Sequence, residues 1–83
     1  MAASPNWKVY DSTKRYQAAC HEIEAAAALV AFYGDGSTIR AGHSLVVWTE
    51  GGEAIPAAES YDVVAATVEQ RLDEALRRFV VEV

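Results

Sequence analysis

Between Glu22 and Gly34 the chain reads Glu-Ile-Glu-Ala-Ala-Ala-Ala-Leu-Val-Ala-Phe-Tyr-Gly, and this segment restricts the possible folds more than any other. Alanine has the best intrinsic helix propensity, and Ile23, Ala26, Ala27, Val30 and Tyr33 recur at helical spacing. The pattern predicts a helix over 22–33. Gly34, free to take positive φ, ends it, and Asp35-Gly36 extends the turn. A central helix this apolar needs something flat to lie on.

The flanking sequence supplies it. Trp7-Lys8-Val9-Tyr10 alternates in character, Asp11-Ser12-Thr13-Lys14 favours a turn, and Arg15 to Cys20 alternates again, so strands are expected near 7–10 and 15–20. After the helix, two runs rich in β-branched residues enclose Gly42-His43-Ser44, giving a second hairpin with strands near 37–41 and 45–49. Glu50 to Ala58 holds two glycines and a proline without a sustained period and reads as a loop. Ser60 can cap a second helix over 60–78, whose apolar stripe is Tyr61, Val64, Val68, Leu72, Ala75, Leu76 and Phe79. The tail Phe79-Val80-Val81-Glu82-Val83 suits a short fifth strand.

The expected fold is therefore α+β: a two-layer ββαββα sandwich, with a four-stranded, mainly antiparallel sheet and both helices on one face. At 83 residues the chain holds one core and one domain, with residues 1–6 as a flexible N-terminal tail. Sixteen of its apolar residues are alanine, so the core must come from valine, leucine, isoleucine and the aromatics. If Val9, Ala18, Ile39 and Val47 face the helices, alternation sends Lys8, Tyr10, Gln17, Arg40, Val46 and Trp48 to the open face.

Several function classes fall away on simple grounds. The single cysteine, Cys20, closes no internal disulfide, and no Cys/His pattern supplies four zinc ligands. Met1-Ala2-Ala3-Ser4-Pro5 lacks a basic stretch followed by an apolar one, and no run approaches ~18 apolar residues, so the expectation is a soluble, cytoplasmic protein without a membrane partner. No cofactor or metal is expected. Charge is unevenly placed: residues 1–49 balance, whereas residues 50–74 carry seven acids against one base. Such a field repels nucleic acid and attracts basic partners.

Four constellations can carry function. Cys20-His21 invites a thiolate–imidazole reading, but neighbours on a strand point to opposite faces, so Cys20 reads as a small core residue. Gly34, Gly36 and Ser37, with Arg40 and His43 close behind, resemble an anion cradle. However, these glycines follow a helix C-terminus, whose dipole repels anions. The open face, with Tyr10 and Trp48 among Lys8, Arg40 and Gln17, has the aromatic and arginine content of protein contact surfaces. Base stacking would use similar residues, but the acidic balance disfavours nucleic acid. Finally, Glu59, Asp62, Glu69 and Asp73 line an acidic ridge able to imitate a phosphate backbone.

The segments Tyr33-Gly34-Asp35-Gly36, Thr38-Ile39-Arg40, Gly42-His43, Trp48-Thr49-Glu50-Gly51 and Ser60-Tyr61-Asp62 resemble a pattern in small hypothetical proteins of bacterial, environmental or phage origin. The resemblance covers residues 7–72. It implies a mobile-genome origin and transfers no site, substrate or activity. The functional expectation is a small acidic, non-enzymatic protein-interaction module that forms a homodimer, through the open sheet face or an edge strand such as the C-terminal valines. The alternatives are a phage-type inhibitor using the acidic ridge, and a small-anion binder or enzyme using the Gly34-Asp35-Gly36 turn.

Overall fold

A computed structural model describes residues 6–81 and gives the order β1 (Trp7–Tyr10), β2 (Tyr16–Cys20), α1 (Ile23–Tyr33), β3 (Thr38–Ala41), β4 (Ser44–Glu50), β5 (Glu53–Pro56), a 3₁₀ turn (Glu59–Tyr61) and α2 (Asp62–Val81). The architecture is α+β. The strands form one sheet in the order β2-β1-β3-β4-β5, with every neighbouring pair antiparallel.

The alternation of strand residues builds the core. Val9, Ile39 and Val47 are opposite one another in register and all fully buried, facing Ala26, Ala27 and Val30 of α1 and Val68 of α2. Small alanines on α1 let the helix axis lie close to the sheet. Burying each such valine or isoleucine contributes roughly 1.5–3 kcal/mol. α1 packs behind β1, β2 and β3, α2 behind β4 and β5, and the helices pack on each other. Among the described residues the opposite face of the sheet carries no helix.

Two residues expected on that open face are elsewhere, for one reason. Val9 pairs with Ala18 and Tyr10 with Tyr16, so Gln17 is an extra residue in β2. Ile39 pairs with Val47 and Arg40 with Leu45, so Val46 is an extra residue in β4. Each is a β-bulge, which breaks the period of two. Val46 is consequently fully buried in the core, alongside Val47. Gln17 reaches back instead, its carbonyl oxygen 3.3 Å from the Tyr33 hydroxyl of α1 and its amide 2.7 Å from Asp11.

The C-terminal half differs in three places. The fifth strand is β5, within the expected loop, and not the tail. Residues 79–81 continue α2, and 82–83 lie outside the described residues, as do 1–5 of the expected N-terminal tail. Extending an existing helix adds a backbone bond for each residue fixed, which outweighs valine's modest helix penalty of at most ~0.7 kcal/mol. Ser60 sits within the 3₁₀ turn, one residue short of the capping position, and α2 begins at Asp62. Among the described residues no helix is long and apolar enough to cross a membrane.

Candidate interaction surface

The open face is organised by the ladder pairings. Tyr16, Tyr10, Thr38, Trp48 and Ile55 are successive cross-strand partners, so one row of side chains runs over all five strands. A second row holds Ala19, Lys8, Arg40 and Leu45. Lys8, Tyr10, Arg40 and Trp48 thus stand where alternation puts them. Leu45 and Ile55 join them, Leu45 because the Val46 bulge changes the phase of β4, and Ile55 because β5 exists.

Within the first row, Thr38 is small and its neighbours are large. Strands lie ~4.8 Å apart, so Tyr10 and Trp48 rise about 9.6 Å from each other with a dip between them. The result is a cleft of about 860 Å³ that has Tyr10, Thr38, Arg40, Leu45 and Trp48 on its floor and walls and reaches Lys14, His43, Asp35, Gly36 and Glu50 at its margins. The Tyr10 and Tyr16 rings meet edge to face at 5.7 Å. The Arg40 guanidinium carbon lies 6.0 Å from the Tyr10 ring centroid, and its Nη1 donates to the His43 carbonyl at 3.1 Å. Arg40 is therefore held in place while keeping donors for a partner.

The Gly34–Ser37 turn is committed to holding the fold. Gly34, with φ of 84°, ends α1 and donates its N–H to the Val30 carbonyl at 2.9 Å. The Gly36 N–H donates to the Thr49 carbonyl at 2.9 Å and the Ser37 N–H to Gly34 at 3.2 Å. A side chain at Gly36 would meet Ser12, whose Cβ would be 3.1 Å away. The Ser37 hydroxyl is sealed from solvent and bonds the Gly34 carbonyl at 2.6 Å. The Asp35 carboxylate accepts the N–H groups of Gly51 and Gly52 at 2.9 and 3.0 Å, fastening the β4–β5 turn. Of the anion-binding set, Gly34, Gly36 and Ser37 have their N–H groups bonded within the chain. Arg40 and His43 line the sheet cleft together with Gly36, whose own N–H is already given to the Thr49 carbonyl. The sequence carries one signal of the Asp35 clamp, the Asp35-Gly36 pair followed by the later Gly51-Gly52 turn.

The acidic ridge is present as a surface: Glu59, Asp62, Glu69 and Asp73 are all exposed. One member has a structural partner, since Glu69 Oε2 accepts the Ala54 N–H of β5 at 3.4 Å. The ion pair of Arg71 with Glu24, 3.5 Å and well exposed at both ends, contributes ~0–1 kcal/mol. Cys20 is half-buried and packs against the core, as its place at the end of β2 requires. Among the described residues no three His, Cys, Asp or Glu side chains are grouped to hold a metal.

What this face can do follows from its chemistry. Aromatic rings, leucine and isoleucine supply area, Arg40 and Lys14 with Asp35 and Glu50 supply charge of both signs, and the cleft supplies shape. No family profile, curated protein or solved structure matches this chain.

Proposed function

We propose that this chain is a non-enzymatic protein-interaction module, working as a cytoplasmic homodimer, whose recognition surface is the helix-free face of the sheet. The observation that carries the reading is the cleft over Thr38, with Tyr10 and Trp48 as walls and Arg40 fixed beside them. Tyrosine, tryptophan and arginine are the residues that dominate binding energy at protein contacts. Charge at the cleft is of both signs, Lys14 and Arg40 with Asp35 and Glu50, so the aromatic walls and not a net charge set what the partner must offer. The half-buried, unpaired Cys20 suits a reducing compartment.

The test is retention of a partner from lysate at low and high salt by wild type, Trp48→Ser, Arg40→Glu and a double Asp62→Lys, Asp73→Lys variant. A partner kept by wild type and by the lysine variant, but weakened ~30-fold or more by Trp48→Ser, is the expected result. A partner kept equally by the sheet-face variants, and lost only from the lysine variant, would overturn this reading in favour of the acidic ridge. A rise in melting temperature with inorganic phosphate that Arg40→Ala abolishes would favour the small-anion alternative.

A further inference from the structure

The two ends of the sheet are finished differently. Along β5, Ala54 turns its N–H away from β4, and that N–H is taken by the Glu69 carboxylate at 3.4 Å. Strand alternation turns residue 56 the same way, and Pro56 has no N–H to offer. α2 packs along this strand. The β5 edge therefore presents no donor to an incoming strand.

β2 has no such protection. Thr49 N–H bonds the Ser37 carbonyl at 3.1 Å, which fixes the phase of the ladders. Ile39 then bonds to β4, Arg40 and Thr38 to β1, and Val9 and Trp7 to β2. Lys8 points its backbone groups at β3, so its partner Ala19 turns its N–H and C=O out of the sheet. Ala19 is exposed, and so is the large side chain of Tyr16 on the same strand, at 54%. The Gln17 bulge interrupts the beginning of β2, but Ala18-Ala19-Cys20 stays in regular register with β1. Among the described residues this is the one open sheet edge.

The charges around β2 select a partner strand. Tyr16-Gln17-Ala18-Ala19-Cys20 carries none, Lys14-Arg15 precedes it, and Glu22 and Glu24 follow it. We propose that β2 pairs antiparallel with β2 of a second copy of this chain. Antiparallel pairing lays the Lys14-Arg15 end of one strand beside the Glu22 end of the other, whereas parallel pairing sets like charge against like. Two identical edges meeting this way are related by a two-fold axis normal to the sheet, so the assembly closes at two and does not run on into fibres. The same axis brings both helix-free faces up on one side, giving a ten-stranded surface with two clefts. The inference rests on the homodimer reading above and names the edge that makes it. With only a short regular stretch to pair, the dimer is expected to dissociate in the micromolar range.

Sedimentation velocity of the full chain tests this. Wild type should dimerise, and Ala19→Pro, which removes an outward N–H only, should be monomeric with an unchanged circular dichroism spectrum. Glu22→Lys should weaken the dimer by about threefold to tenfold at low salt, and adding Lys14→Glu should restore it. That charge exchange keeps the test decisive if the proline variant fails to fold. A wild type that stays monomeric at the highest concentration reached would overturn the pairing, while leaving a Trp48-dependent partner intact as support for the recognition face. A dimer lost on Trp48→Ser but kept by Ala19→Pro and Glu22→Lys would move self-association to the open face. Loss only on Phe32→Glu, a change to the exposed aromatic ring of α1, would move it to the helix layer.

Discussion

The hydroxyl oxygens of Ser37 and Thr49 lie 3.1 Å apart with both residues sealed from water, and together they bind the end of α1 to the sheet. Each has one proton to give. The shortest geometry sends that of Ser37 to the Gly34 carbonyl, 2.6 Å, and that of Thr49 to the Ser37 carbonyl, 2.9 Å. Removing either hydroxyl takes one donor from the carbonyl it serves, leaving Gly34 with the Ser37 N–H and Ser37 with the Thr49 N–H, and deprives the remaining hydroxyl of its polar neighbour in a dry site. Ser37→Ala and Thr49→Val should each cost about 1–3 kcal/mol in urea unfolding, and the double variant should cost less than the sum. Additive losses would show that the two hydroxyls act independently.

Lys14 has φ of 69°, the left-handed region that disfavours side chains with a Cβ. Lys14→Gly relieves that strain and makes the unfolded chain looser, two effects of opposite sign. The first is the larger here, so a net gain of about 0.5–1 kcal/mol is expected. A lower melting temperature for Lys14→Gly would contradict it.

Asp11 organises the β1–β2 turn. Its Oδ1 accepts the Thr13 hydroxyl at 2.7 Å and the N–H groups of Thr13 and Arg15 at 2.9 and 3.0 Å, while Oδ2 accepts the Gln17 amide at 2.7 Å. These donors, the Thr13 hydroxyl first, lower its pKa from 3.8 to about 2. A depressed folded-state pKa adds stability that is fully present above the unfolded value. Acid removes it as pH falls from 3.8 toward 2. The difference in stability between wild type and Asp11→Ala should therefore be constant from neutral pH down to about pH 5 and shrink below pH 4. An unchanged difference at pH 2 would rule out the ionised carboxylate as its source.

Glu69 should matter more to solution behaviour than to folding. Its bond to Ala54 is long and part-buried, so Glu69→Ala should cost about 1 kcal/mol. Glu69→Ala frees the Ala54 N–H, the one outward donor of β5 beside Pro56, and a chain that offers a strand donor at both edges can propagate. Light scattering that grows with time and concentration, absent from wild type, is the expected outcome.

Sequence alternation placed Val9, Ile39 and Val47 inward and Lys8, Tyr10, Arg40 and Trp48 outward, because side-chain direction in a regular strand depends on nothing beyond parity. It misplaced Gln17 and Val46 because a bulge is set by how two strands fit together, and neither residue type announces one. β5 was unreadable for a related reason. Glu53-Ala54-Ile55-Pro56 is short, has glycines before it and ends in proline, and it is a strand because β4 and α2 enclose it. The valine tail gave the opposite error, since local β preference yielded to a helix already under way. The open face was legible in its main residues. Its cleft was not, because the cleft depends on Thr38 lying between two aromatics from different strands.

The pairing of β1 with β3 also bears on how fast the molecule assembles. The other strand contacts join neighbours along the chain through short turns, and such contacts close rapidly. Trp7 with Ala41 instead spans the β1–β2 hairpin and the whole of α1, so this one ladder supplies most of the sequence separation among the strand pairings. Loop-closure entropy then makes its formation the slow step of refolding. Lengthening the Gly42-His43 turn should leave the refolding rate nearly unchanged. A flexible insertion between β2 and α1 that doubles the closing loop should slow refolding about threefold, the kinetic equivalent of ~0.6 kcal/mol.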